Sequence, residues 1–236
     1  MKILKTGFLF NYFSLKRLGL VLGGISLLIF IASCGKLQQE TVVFNNAFEA
    51  DSIPAEIVDG KKEVFNGSGV LGRYAEKGFE LQLKNLPPHD LLRISFDLNI
   101  HDTWEGNSGS PDGRDIWIMN INGWSSIYTT FANKLSCTNC TQAYPEAQPS
   151  YINQQFIFYN NPAQANAIRT DLPGACELKD VKGGTSMYRI VRVIEHKEST
   201  FRLGCFSQQE HPNQADKLCN ESWSVDNMEI KAIKLR

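Results

Sequence analysis

The stretch Arg93-Ile94-Ser95-Phe96-Asp97-Leu98-Asn99-Ile100 places an apolar side chain at every second position and a polar one between each pair. In an extended chain successive side chains point to opposite faces, so this segment reads as a strand with one face in a core. The same alternation recurs at Phe79, Leu81 and Leu83; at Trp117, Met119 and Ile121, interleaved with Ile116, Ile118 and Asn120; and at Phe201, Leu203 and Cys205. Looser versions occur at Val42, Phe44 and Phe48, at Phe156 and Phe158, at Ile190 to Ile194 and at Met228 to Ile233. Beyond the first 33 residues no stretch carries a convincing 3.6-residue apolar period. The expectation is therefore an all-β domain, a two-sheet antiparallel sandwich of jelly-roll type with roughly 8 to 11 strands. Asn66-Gly67, Asn122-Gly123 and Gly183-Gly184 supply positive-φ turn positions, and Pro87-Pro88 and Pro145 punctuate connections. Two longer loops, His101 to Arg114 and Asn160 to Lys179, exceed ordinary connection lengths.

The 236 residues are 42% hydrophobic and 21% charged, which excludes collagen-like and disordered chains, and no repeat suggests a solenoid. Residues 1–33 are different in kind. Lys2, Lys5, Lys16 and Arg17 precede an apolar run from Leu18 to Ala32, with no acidic residue, and a small residue, Ser33, comes before Cys34. This order is that of a secretory signal helix. The run falls short of the roughly 20 residues that cross a bilayer. The segment Ile31-Ala32-Ser33-Cys34 resembles the lipobox of bacterial lipoproteins. That resemblance implies cleavage before Cys34, its modification by fatty acyl (palmitate-type) chains, and anchoring to a membrane outside the cytoplasm. Gly35 in place of an aspartate implies an outer membrane or cell-surface location. The expected organisation is a signal peptide over 1–33, a lipidated tether over 34–40 and the sandwich over 41–236.

Loss of residues 1–33 removes four basic residues and no acid, taking the formal net charge from −1 to −5. With no Lys/Arg cluster, nucleic acid is not an expected partner. Export exposes Cys137, Cys140, Cys176, Cys205 and Cys219 to an oxidising compartment. A bridge between Cys205 and Cys219 is expected, clipping the connection before the last strand, with Cys137 and Cys140 paired together or one of them joined to Cys176. A lone C-x-x-C lacks the second ligand pair of a zinc site.

Acidic residues cluster in two places. The loop holding Asp102, Glu105 and Asp112 is Gly-rich, and flexible oxygen-rich loops suit calcium, although the spacing is not that of an EF-hand. Glu49 on the first strand and Asp226 on the last are brought together if the terminal strands pair, and two carboxylates in contact need a proton or a cation between them. The combination of Phe48-Glu49-Ala50, the run from Asp97 to Gly106, Thr129-Thr130-Phe131 with Asn133, Tyr144-Pro145, and the run from Glu221 to Asn227 resembles a domain of secreted bacterial proteins. More distantly it is similar to the galactose-binding-like jelly rolls used as carbohydrate-binding modules. The resemblance implies a structural calcium held by Glu49 and Asp226, and a glycan as partner.

Sugars stack on exposed aromatic rings, and Trp104, Trp124, Tyr144 and Tyr151 lie in or beside loops where a platform could form. No catalytic residue is expected: G-x-S-x-G, H-E-x-x-H, phosphate-binding and dinucleotide motifs are all absent, and the four histidines are scattered. The leading expectation is a membrane-anchored, non-enzymatic, calcium-stabilised module that binds a glycan or an extracellular partner. The alternatives are a glycan-active hydrolase or lyase built on Asp102, Glu105 and Asp112, and a structural lipoprotein packing against another envelope protein.

Overall fold

The computed structural model describes residues 37–108, 114–136, 138–153, 155–209 and 216–236. Cys34, Asp112, Cys137 and the whole signal segment lie outside the described residues. The strands in chain order are β1 (Leu37–Asn46), β2 (Ile57–Val58), β3 (Lys62–Phe65), β4 (Ser68–Tyr74), β5 (Phe79–Leu83), β6 (Leu91–Asp102), β7 (Asp115–Ile121) and β8 (Trp124–Thr130). They continue with β9 (Thr141–Gln142), β10 (Ser150–Ile152), β11 (Gln155–Ile157), β12 (Asn161–Pro162), β13 (Arg169–Pro173), β14 (Lys182–Glu195), β15 (Phe201–Gln209) and β16 (Glu221–Leu235).

Two antiparallel sheets carry the fold. One has seven strands in the order β13-β14-β6-β16-β4-β3, with β1 also on β16; the other has five, in the order β2-β5-β15-β7-β8. From β4 onward the chain crosses repeatedly between the sheets, which is the winding of a jelly roll. The expected sandwich is present, with twelve strands in its two sheets among the described residues. The larger number arises because short pieces such as β2 and β3 are too brief to show a period. β13 likewise converts part of the expected 160–179 loop into an edge strand.

Inward positions build one aromatic-rich core. Phe79 and Leu81 of β5, Trp117 and Met119 of β7, and Leu203 of β15 face Leu92, Ile94, Phe96, Leu98 and Ile100 of β6 and Trp223 and Val225 of β16. Trp223 meets Trp117 edge-on at 6.0 Å and Tyr74 at 5.0 Å, and its Nε1 donates to Ser207 Oγ at 2.9 Å. Residues 37–40, expected as tether, belong to β1, where Leu37 pairs with Leu235 and Glu40 with Ile233. They are drawn in because the lower half of β16 extends below β4 and its free edge needs hydrogen-bond partners.

The disulfide expectation is corrected. Cys176 bonds Cys219, with Cα atoms 4.9 Å apart, while Cys205 is a free, buried thiol. Alternation explains this: Cys205 occupies an inward site on β15 two residues after Leu203, so its side chain is in the core, remote from Cys219 on the helical turn Lys217–Asn220. Cys140 is disulfide-bonded as well, and its expected partner Cys137 lies outside the described residues.

On the outer side of β6, His101 is fully buried between Thr185 Oγ1 (3.0 Å) and Ser224 Oγ (2.8 Å), beneath the Phe65 ring at 4.5 Å. Burial and the positive charge of Arg73 push its pKa down to about 3. The unfolded chain therefore binds a proton near pH 6.5 that the folded chain refuses, and stability present above that pH is lost as pH falls toward 3. Between pH 6.5 and pH 4 we expect a loss on the order of 3 kcal/mol. Thermal melts of the parent and of His101→Gln across that range check it: the parent should lose stability relative to the variant as pH falls, by about that amount, and a constant difference would contradict it.

Candidate functional site

The outer face of the five-stranded sheet holds a groove of about 380 Å³. Its floor follows from register. Gly204 on the central strand β15 pairs with Glu80 on β5 and with Asn120 on β7, so the three lie in one row across the sheet with no side chain in the middle. A Cβ at Gly204 would meet nothing within 4 Å. Phe206, two residues further along β15, borders the same space, as does Gly123 of the β7–β8 turn.

The polar groups of this row are differently satisfied. Arg202 donates to both Glu80 oxygens, at 3.1 and 2.7 Å, and Gln82 Nε2 donates to Oε1 at 2.6 Å. Arg202 accordingly holds the Glu80 carboxyl below its ordinary pKa, and Glu80 raises that of Arg202. The carboxylate is thus fixed, charged and oriented. Asn120 Oδ1 is buried and has no hydrogen-bond partner among the described residues. An amide oxygen left in that state costs about 1–3 kcal/mol unless something donates to it. A fixed carboxylate, an unsatisfied amide oxygen, a bare glycine floor and an aromatic edge together suit a ring that carries hydroxyl donors on its rim and C–H groups on its face. A larger open cleft of about 760 Å³ runs between β1 and β5, bordered by Val42, Leu83, Lys84 and Pro87. No residue lining it has a buried side-chain polar atom lacking a partner.

None of the four expected platform aromatics lines the groove. Trp104 is fully buried and its Nε1 donates to the Ser222 carbonyl at 3.0 Å, so the loop folds its ring into the core. Tyr144 is half-buried, packed on Phe131 at 4.8 Å and Tyr188 at 5.3 Å. Trp124 is 82% exposed but stands beside the groove, on the turn that follows Asn122-Gly123. Tyr151 is exposed on the β10–β11 hairpin, its ring tilted against Phe156 at 5.1 Å. The groove row itself was missed because it joins three strands through their register, a non-local property; the alternation of Asn120 among apolar β7 residues was the one available signal.

The acidic expectations divide. Asp102 is buried and its carboxylate accepts from the backbone N–H groups of Cys176 (3.1 Å) and Leu178 (3.0 Å), so it caps the disulfide loop. Glu105 sits in a loop whose N–H groups, its own and that of Gly106, bond Asp115 Oδ2. Among the described residues no three His, Cys, Asp or Glu side chains converge on a metal position. Asp112, the third residue of that expectation, lies outside the described residues. Glu49 and Asp226 do come together as the pairing of the terminal strands requires. Ser68 Oγ donates to Glu49 at 2.6 Å, and Ser68 also hydrogen-bonds Asp226. Burial, then Asp97 and Glu49, raise the Asp226 pKa. A contact that the sequence did not indicate is the buried pair Glu221 and Asp115: burial and the neighbouring carboxylate raise the Glu221 pKa, so the two share a proton at the end of the sandwich nearest the disulfide.

No family model and no curated protein sequence matches the chain. Among solved structures, the C-terminal carbohydrate-binding module of a marine laminarinase from Zobellia galactanivorans is similar over 82% of this chain and 99% of that one, at 10% identity and a TM-score of 0.32. A carbohydrate-binding module of lichenase 5A from Cellvibrio mixtus, solved in complex with cellotriose, is similar over 80% of this chain and 97% of that one, at 10% identity and a TM-score of 0.31. The basic winged bean lectin, solved with Tn-antigen, is similar over 84% of this chain and 99% of that one, at 10% identity and a TM-score of 0.38.

Proposed function

We propose that the chain is a non-enzymatic bacterial surface lipoprotein, anchored through acylated Cys34, whose sandwich binds a glycan in the groove of its five-stranded sheet. The observation that carries the binding reading is the row Glu80, Gly204 and Asn120, with a buried amide oxygen waiting for a donor beside an open floor. The lipobox-like Ile31-Ala32-Ser33-Cys34 supports the anchor and the outer-membrane or cell-surface location. Of the residues on which the hydrolase alternative is built, Asp102 is buried and accepts from backbone donors, which disfavours it as a catalytic acid. A specific feature favours the envelope-packing alternative: Tyr151, Ile152, Phe156 and Ile157 of the β10–β11 hairpin are each about half exposed or more, and contiguous apolar surface of this kind marks partner sites.

Calcium is proposed at Glu49 and Asp226, where a cation would relieve the repulsion that raises Asp226. Its remaining oxygens would have to be backbone carbonyls or water. Two nearby carbonyls, those of Glu49 and Ala50, already accept from Lys62 Nζ at 3.1 and 2.5 Å, so the ion would share this corner with an ammonium. The test is a glycan array probed with and without chelator, paired with thermal melts. We expect one glycan class to bind, with Asn120→Ala weakening it roughly ten-fold. Calcium in excess should raise Tm by several degrees in the parent and not in Asp226→Asn. An array blank for the parent chain removes the binding reading, and a calcium-indifferent melt removes the ion.

A further inference from the structure

Of the four tryptophans, Trp104, Trp117 and Trp223 are fully buried and Trp124 is 82% exposed. The groove does not use it. Its position in the fold offers another role. Asn122 N donates to the Arg202 carbonyl, Leu86 N to Ser199, Asp90 N to Ile233 and His196 N to Asp90. Together with the pairing of Leu37 and Leu235, these bonds gather the β7–β8 turn, both neighbouring connections and the start of β1 at one end of the sandwich.

That end carries mixed charge. Lys84, Lys197 and Arg236 are exposed there and Lys234 is partly exposed and bound to Asp90 at 2.9 Å, interspersed with the exposed acids Glu40, Glu56, Glu195 and Glu198. Leu37 lies three residues after Cys34, a reach of at most about 11 Å.

We propose that the end bearing Trp124 rests on a phospholipid surface, the indole entering the interface. This rests on the reading of Cys34 as the acylated anchor. Tryptophan suits that layer, where a large apolar ring and an N–H donor are both accommodated. A short tether keeps this end, and no other, against the bilayer.

The test uses the acylated chain, purified from membranes and reconstituted into vesicles of equal parts phosphatidylcholine and phosphatidylglycerol. Phosphatidylcholine brominated close to the headgroup should quench up to about a quarter of the tryptophan emission, one ring of four. In Trp124→Phe that quenching should disappear, while flotation with the vesicles is unchanged. Flotation with emission indifferent to bromolipid but quenched by acrylamide would overturn the orientation and leave the anchor standing. Failure to float would overturn the anchor, and this inference with it, without touching the glycan groove.

Discussion

Gly204→Val is expected to abolish glycan binding while leaving Tm within a few degrees of the parent. The position is in a central strand, its backbone is not in the left-handed region, and an added Cβ meets nothing within 4 Å. Valine favours strands, so the folded state gains or loses little. The new methyl groups occupy the space between Glu80 and Asn120, and a ring that needs both polar groups loses its seat. Affinity should fall at least a hundred-fold, about 2.7 kcal/mol, measured by calorimetry against the glycan found on the array. Retention of affinity in a variant that still melts like the parent would show that the ligand binds elsewhere, with the β1–β5 cleft or the hairpin as the next places to look.

The second large effect concerns the bridge between Cys176 and Cys219, which are 43 residues apart. Closing a loop of that size restricts the unfolded chain by about 4 kcal/mol in the chain-entropy description. The double variant Cys176→Ala/Cys219→Ala should therefore melt roughly 10 °C lower. The loss is amplified locally. Apart from the bridge, the loop that carries Cys176 is tied to the sandwich by its backbone donors to Asp102 and by Glu177 N on the Cys219 carbonyl, and those depend on the loop staying against the top of β6. Cys205 should behave in the opposite way. Burial pushes its thiol pKa up, so it should resist alkylation in the native protein and react on unfolding. Peptide mapping that finds Cys205 bonded to Cys219, or a double variant that melts with the parent, would refute this assignment.

Alternation made the strands legible. β5, β6, β7 and β15 each bury every second side chain on the core side. The contact of Glu49 with Asp226 was also legible, because it needs only that terminal strands meet. Trp104 was misread since a Trp amid acids in a Gly-rich segment has the composition of a solvated loop; its indole reaches a carbonyl of β16 that no local pattern reveals. The cysteine partners were misread for a related reason. Proximity along the chain favoured Cys219 with Cys205, whereas the side of the strand on which Cys205 falls decided the matter. The groove depends on two inter-strand registers at once, and neither is encoded in any one segment.

The double partnership of β16 has a mechanical corollary. Its upper part is bonded to β4 and its lower part to β1, which runs antiparallel to it from Leu37 upward. A pull on the chain at Leu37, directed out of that end of the sandwich, acts along the axis of β1. The ladder is then loaded in shear, with many hydrogen bonds resisting together instead of opening one after another like a zip, so the first strand is seated to withstand tension from the segment that precedes it.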